Sequence, residues 1–295
     1  MSLVSFVLCK RSGMKKAIED SLDLIEYRMC KSVQKVAIKP NMCYYWDYST
    51  GQTTNPEFVS ALVDIIRNKI SPNVDIAVVE SDASAMKCKY AFKMLGYEKM
   101  ARRQNVTLVN LSKDETRKVE VVVGNQHLSF MIPDTIRNAD LRINVPKIKY
   151  LVQTKVSCAL KNIFGCNPYP QKYKYHGKLD EAIVGLNKAM RFDLCITDGV
   201  VVSGVRPREL GLIMASRDPV ALDTAAAKIL GINPKSVGHI MLAREERIGD
   251  TSFIPRGASL DYFRRRYPRK TPVYRIMFLA YELATGIGLL DAEMI

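Results

Sequence analysis

Short apolar runs rich in Val, Ile and Leu alternate along this chain with segments whose apolar residues recur every three or four positions. The runs lie at residues 4–9 (VSFVLC), 35–40 (KVAIKP), 74–81 (VDIAVVES), 106–111 (VTLVNL), 140–147 (DLRINVPK), 192–199 (FDLCITDG) and 210–216 (LGLIMAS). Continuous apolar strands separated by amphipathic helices predict an α/β fold, a mostly parallel sheet with helices on both faces. The clearest helix follows the second run. Asn55 is a capping residue, Pro56 suits the first helical position, and Phe58, Leu62, Ile65 and Ile66 form one apolar stripe that stops at Ser71-Pro72. Residues 118–133 (KVEVVVGNQHLSFMIP) break the alternation. Two extended runs meeting at Gly124-Asn125 predict an inserted β-hairpin, at a sheet edge or as a flap. Residues 264–270 (RRRYPRK) then lead into TPVYRIMFLAYELATGIGLL, which reads as a basic turn and a C-terminal helical tail. The expected division is an α/β domain over residues 1–250 and an appendage over 251–295. The tail reads first as a packing helix, with membrane-surface or homo-oligomer contacts as alternatives.

Hydrophobic residues make up 47% and charged residues 25% of the 295, a balance that supports a large core. Seven cysteines (Cys9, Cys30, Cys43, Cys88, Cys158, Cys166, Cys195) are scattered, with no CxxC pair. That pattern argues against a disulfide scaffold, a zinc ribbon or a ferredoxin-type cluster, and the expected location is cytoplasmic. The N-terminal apolar run precedes its charges, the reverse of a secretory signal. Arg275 and Glu282 interrupt the most apolar stretch, so no membrane span is expected. The formal net charge of +14 points to anionic partners. Neither GxxxxGK[ST] nor a GxGxxG after a strand occurs, so a P-loop and a Rossmann dinucleotide site are not expected. The cofactor is left unknown.

Ligands of open parallel sheets bind beyond the carboxyl ends of strands, so polar residues closing apolar strands carry the most weight. Lys39 and Asn41 close the second strand and Glu80 and Asp82 the third. Lys147 and Lys149 follow INVP, Asp198 and Gly199 close CITDG, and Asp218 follows IMAS. With parallel strands these groups converge on one rim, where lysines grip an anion while a neighbouring acid or base moves a proton. The densest stretch runs from Lys147 to His176 and includes Lys155 and Lys161. Within it, residues 158–165 (CALKNIFG) set Lys161 and Asn162 among core residues. The helix dipole favours a cation near the carboxyl end, which accounts for Lys161 but not for Asn162. Lys149, Lys161, His176 and Asp198 are the catalytic candidates. A loop histidine before a helix is a natural acid or base, whereas His127 and His239 have no comparable sequence neighbourhood. Wide spacing makes Glu80, Asp198, Asp218, Asp223 and His176 a poor metal set, and no metal ligands are assigned. Cys158 and Cys166 flank the lysine helix. The YYWDY and YPQKYKY runs offer stacking rings for nucleic acid, without any accompanying recognition motif.

These stretches together resemble the domain of unknown function 362 family. The resemblance is carried by VAIKPN with TTNP, VVES, INVPKIK, TKVSCALKNIFG, the loop histidine, ITDG with VSGVRP, and ASRDPVALD ahead of KILGI, from about Lys35 to Ile232. It implies an enzyme-like domain and carries the family pattern onto Lys39, Asn41, Thr54, Pro56, Glu80, Lys147, Lys149, Lys161, Asn162, Gly165, His176, Asp198, Gly199, Gly204, Pro207, Asp218 and Asp223. Many relatives append a ferredoxin-like segment with two four-iron clusters; no such motif occurs in these 295 residues, so a built-in electron-transfer role is not expected. Tyr150 stands where relatives commonly have a histidine. Three readings stay open. One is an enzyme (isomerase, lyase or transferase) that holds a small anionic carboxylate or phosphate on Lys39, Asn41, Thr54, Glu80, Lys147, Asn162, Gly199, Asp218 and Asp223. The second is a redox protein working with a separate iron-sulphur or flavin partner. The third is a basic module for nucleic acid or an anionic membrane surface.

Overall fold

The computed structural model describes residues 1–268, apart from the side chains of Arg11 and His176; the expected C-terminal tail beyond residue 268 lies outside the described residues. Ten strands are described: β1 (Ser2–Leu8), β2 (Lys35–Pro40), β3 (Asp75–Glu80), β4 (Thr107–Asn110), β5 (Thr116–Val123), β6 (Gln126–Pro133), β7 (Leu141–Val145), β8 (Leu194–Val202), β9 (Arg208–Ser216) and β10 (Phe253–Gly257). The helices are α1 (Met14–Leu24), α2 (Pro56–Lys69), α3 (Cys88–Met94), α4 (Tyr97–Gln104), α5 (Asp134–Arg137), α6 (Ala159–Phe164), α7 (Leu179–Ala189), α8 (Pro219–Ile229), α9 (Gly238–Glu245) and α10 (Leu260–Arg266). Eight strands form one sheet in the order β10-β1-β9-β8-β7-β2-β3-β4. Its pairings are parallel except those that β9 makes with β1 and β8.

Two apolar cores cover the faces of the sheet, because strands buried on both sides have apolar residues pointing each way. One core packs α1, α2, α3 and α4 through Ile18, Leu22, Phe58, Leu62, Phe92 and Tyr97. The other packs α6, α7, α8, α9 and α10. The cap foreseen for α2 is present, with the Asn55 side chain accepting from Glu57 N at 2.9 Å. No helix among the described residues is long and apolar enough to cross a membrane.

Two expectations change. The hairpin β5–β6 turns at Gly124 (φ +55°) as its sequence requires, but it forms a separate two-stranded layer over α7. Phe130 and Ile132 are buried there, and a β-carbon on Gly185 of α7 would stand 2.7 Å from the Phe130 ring. The sheet also runs past the expected boundary at residue 250. Ser2 to Phe6 pair in parallel with Phe253 to Gly257, Phe263 is fully buried, and the Tyr267 hydroxyl donates to Ile148 O at 3.3 Å. Residues 253–267 are therefore integral to the sheet domain.

The antiparallel β9 corrects a third expectation. Its carboxyl end faces the opposite rim from those of β2, β3 and β7, and it carries Asp218 there. Asp218 caps α8, accepting from Val220 N (2.8 Å) and Ala221 N (3.0 Å), and its other oxygen takes Ser2 Oγ (2.7 Å) and Asp250 N (2.9 Å). It ties together the start of β1, the start of α8 and the turn before β10. Asp218→Ala removes a cap and strands buried donors, and should lower unfolding free energy by about 2–3 kcal/mol. Urea denaturation checks this, and an unchanged midpoint would deny the carboxylate that structural role.

Candidate functional site

Lys39 and Glu80 sit at the carboxyl ends of the adjacent parallel strands β2 and β3, one residue out of register, and their side chains meet at the strand ends. Lys39 Nζ lies 2.8 Å from Glu80 Oε2 and donates to Pro40 O at 2.7 Å. Both side chains are almost wholly buried, at 1% and 4% exposure, which a charge tolerates only when paired and hydrogen-bonded. Glu80 is fully used: Oε2 also accepts from Met42 N (3.3 Å), and Oε1 accepts from Ser81 N (3.0 Å). A β-carbon on Gly165 would stand 3.1 Å from Lys39 Nζ, so glycine leaves room for the ammonium group.

A second pair lies one strand over. Lys147, just past β7, places Nζ 3.2 Å from Asp198 Oδ2 and donates to Val201 O at 2.7 Å. Asp198 also accepts from Asn55 N (2.9 Å) and Val200 N (3.2 Å). Its oxygens are thus committed to holding Lys147 and the start of α2, whereas the sequence suggested an acid or base. Thr54 is likewise structural. Its hydroxyl donates to Val145 O and accepts from Asn41 N, each at 2.9 Å, which closes the base of the loop between β2 and α2.

Three further lysines have no such partner. Among the described residues, no carboxylate lies within ion-pair distance of Lys149, Lys161 or Lys172. Lys149 is buried and donates to Gln52 O at 3.1 Å; its backbone pairs with Ser157, which folds residues 149–157 back toward α6. Lys161 Nζ stands over the Phe164 ring at 4.6 Å. Lys172 donates to Ser81 Oγ (2.5 Å) and Asp82 O (3.0 Å), while Ser81 Oγ donates to Gly165 O. Burial lowers the pKa of all three. For Lys161 it does so to about 8, helped by Lys149 and then Lys172. For Lys172 it also does so to about 8, against the pull of Glu80. For Lys149 burial acts with Lys147 and Lys39 and against Cys43 and Glu80. Desolvation and like charge both penalise the ammonium form, so a bound anion is the group whose arrival restores it.

Helix α6 holds Lys161 in place through polar groups that face the core. Asn162 donates to Asn144 Oδ1 at 2.7 Å and to Lys39 O at 3.2 Å, and Asn144 donates to Ala159 O at 2.9 Å. That is why an asparagine sits beside Lys161 among core residues. At the start of α6, Asp223 of α8 accepts from Ala159 N (2.6 Å) and Leu160 N (3.1 Å). Burial raises the Asp223 pKa to about 6, against His239 and the two amides. His239 is wholly buried, with Nε2 3.9 Å from Asp223 Oδ2 and Nδ1 3.6 Å from Asp180 Oδ1.

The rim thus gathers Lys39, Asn41, Thr54, Glu80, Lys147, Lys149, Lys161, Asn162 and Asp198. Asp218 lies on the other rim, and Asp223 acts from behind α6. Gly199 has a packing reason, since its β-carbon would stand 2.8 Å from Leu212 O. The backbone of His176 lies in the turn Lys172–Lys178, and its side chain is outside the described residues. A cavity of about 560 Å³ opens on the opposite rim beside Asp193, Arg217 and Asp218 and includes none of these lysines. Lys172 escaped the sequence reading because it lies in a run weighed for its aromatic rings. His239 escaped because its carboxylate neighbours come from two other helices.

A family model described as a domain of unknown function (DUF362) matches residues 36–228. A thylakoid-associated protein of Synechocystis sp. is 36% identical over 106 residues, 32% of this chain and 33% of that protein. The chain thus spans about a third of the length of this curated relative. Among solved structures, the lactate racemase apoprotein from Thermoanaerobacterium thermosaccharolyticum superposes with a TM-score of 0.48 at 10% identity, over 79% of this chain and 58% of that one. The family match takes in both rim pairs and the whole of α6, and the protein belongs to the domain of unknown function 362 family.

Proposed function

We propose that the lysine cluster holds the carboxylate or phosphate of a small molecule, and that the protein is an enzyme moving a proton on that molecule. The observation that carries this reading is the unbalanced charge: Lys149, Lys161 and Lys172 lie close enough to lower one another's proton affinity, and among the described residues none has a carboxylate at ion-pair distance. Lys39 and Lys147, neutralised by Glu80 and Asp198, form the rigid floor. Lys149 and Lys172 grip the anion. Lys161, partly open to solvent and with a pKa near 8, is the acid–base group, because a base poised near neutral pH is both free to accept a proton and strong enough to take one. Isomerisation, elimination and group transfer beside a carboxylate all use that equipment.

Isothermal calorimetry with inorganic phosphate and with pyruvate tests the reading. Lys161→Gln and Lys172→Gln should each weaken binding by about 10-fold or more, the worth of a charge-assisted hydrogen bond, with unfolding temperature little changed. Wild-type protein that takes up neither anion would end this reading.

The pH dependence has two opposite signs. Anion binding needs the ammonium form, so it should fall as pH rises through about 8. The Lys161 pKa is lower in the folded than in the unfolded chain, so without ligand the unfolded state binds more protons between about 8 and 10.5. Wild-type stability relative to Lys161→Gln should therefore rise over that window. Denaturation midpoints of both proteins across that range check the second sign.

A second reading, contact with an anionic membrane surface, is favoured by the thylakoid-associated relative and by the exposed Arg264, Arg265 and Arg266 of α10. Co-sedimentation with phosphatidylglycerol vesicles should then fall steeply with added salt and with Arg264→Glu/Arg265→Glu. Vesicles that leave the protein in the supernatant at low salt would remove it.

A further inference from the structure

The loop between β2 and α2 leaves the lysine site carrying two open aromatic rings. It departs beside Glu80, which binds Met42 N, and returns where Gln52 O takes Lys149 Nζ and Thr54 pairs with Asn41. Its middle is pinned as well. The Tyr45 hydroxyl accepts from Lys87 N at 2.9 Å, just ahead of α3, and Asp47 accepts from Ser49 N at 2.9 Å. Gly51 adopts φ +73°, where a β-carbon would strike the backbone of Val202 and Ser203. Such bracing would readily fold aromatic side chains inward, yet Tyr44 and Trp46 are 47% and 50% exposed. Their ring centroids are 5.4 Å apart with planes inclined by 56°, an open wedge. Tyr44 is also held at φ +52°, a conformation that side-chain-bearing residues avoid and that structures retain mostly where it serves a site.

We propose that the ligand of the lysine site is an anion bearing a planar ring, its charged group on Lys149, Lys161 and Lys172 and its ring against Tyr44 and Trp46. This rests on the lysine cluster being an anion site and adds to it the class of molecule. The rings offer flat apolar contact whose polar edges stay in water, and Cys43, which precedes Tyr44 in the loop, is an electrostatic neighbour of Lys149 and Lys161. A ring that stacks there is recognised through its face, so the subsite selects for planarity and is tolerant of ring substituents.

Trp46 is the single tryptophan of the chain, so fluorescence excited beyond the tyrosine absorption band reports on this subsite. Inorganic phosphate and phenyl phosphate are compared by calorimetry and by fluorescence titration of the full chain. Phenyl phosphate should bind about 10-fold tighter, an increment of about 1.4 kcal/mol, and quench Trp46 saturably, whereas phosphate binds without quenching. Trp46→Ala and Tyr44→Ala, both at exposed positions, should erase the preference for the ring. Equal affinities for the two probes, or a preference that survives both substitutions, would overturn the ring subsite and leave the anion site standing. Phenyl phosphate binding that is lost in Trp46→Ala but indifferent to Lys161→Gln would keep the ring subsite and overturn the lysine reading. Uptake of neither probe overturns both. Much tighter, salt-sensitive binding of a single-stranded oligonucleotide would overturn the small-molecule ligand in favour of nucleic acid.

Discussion

Everything on the carboxyl rim depends on keeping ammonium groups out of water without leaving them uncompensated. Two of the five lysines meet this constraint internally, through Glu80 and Asp198, and each of those carboxylates is in turn saturated by backbone amides. Such pairs contribute little net stability, because desolvation offsets much of the attraction, but breaking one leaves a buried charge at a cost of about 3–5 kcal/mol. Their value here is positional: each fixes a lysine at the end of a strand and the loop beyond it. The remaining three lysines lie beside those pairs, and burial lowers their proton affinity.

Helix α6 brings Lys161 beside the lysines of the strand ends. It is a helix of fewer than two turns, too short to persist on propensity alone. Its stability comes from Asp223 at its first amides, from Asn162 and Asn144 on its inner side, and from Leu160, Ile163 and Phe164 in the core. Placing a buried asparagine network beneath a lysine makes the position of Lys161 dependent on β7, α8 and the end of β2 together. Behind it, the wholly buried His239 lies between the buried Asp223 and the partly exposed Asp180.

The opposite rim shows how one strand direction divides similar residues between roles. Asp198 and Asp218 both sit at or just beyond an apolar strand and both accept backbone amides. Because β8 runs with the parallel set and β9 against it, one faces the lysines and the other caps α8 toward the opposite rim. The aspartate that follows β9 thereby serves folding, and its identity is explained by four donors rather than by a ligand.

Local periodicity and backbone geometry were enough to specify the α/β class, most strand positions, the cap of α2 and the turn of the hairpin. The sequence also pointed to Lys39, Glu80, Lys147 and Lys149 as polar groups closing apolar strands, and to Lys161 as a lysine set among core residues of a helix. Strand order and direction were decided only by the tertiary structure, as pairing energy depends on residues far apart in the chain. That is why Asp218 looked like a rim residue, and why residues 253–267 looked like an appendage when β10 completes the sheet beside β1. The pairing of charges was equally invisible in the linear chain. Which lysines meet a carboxylate and which do not depends on distances that only the packed sheet and α6 establish, through the dielectric of the interior they share.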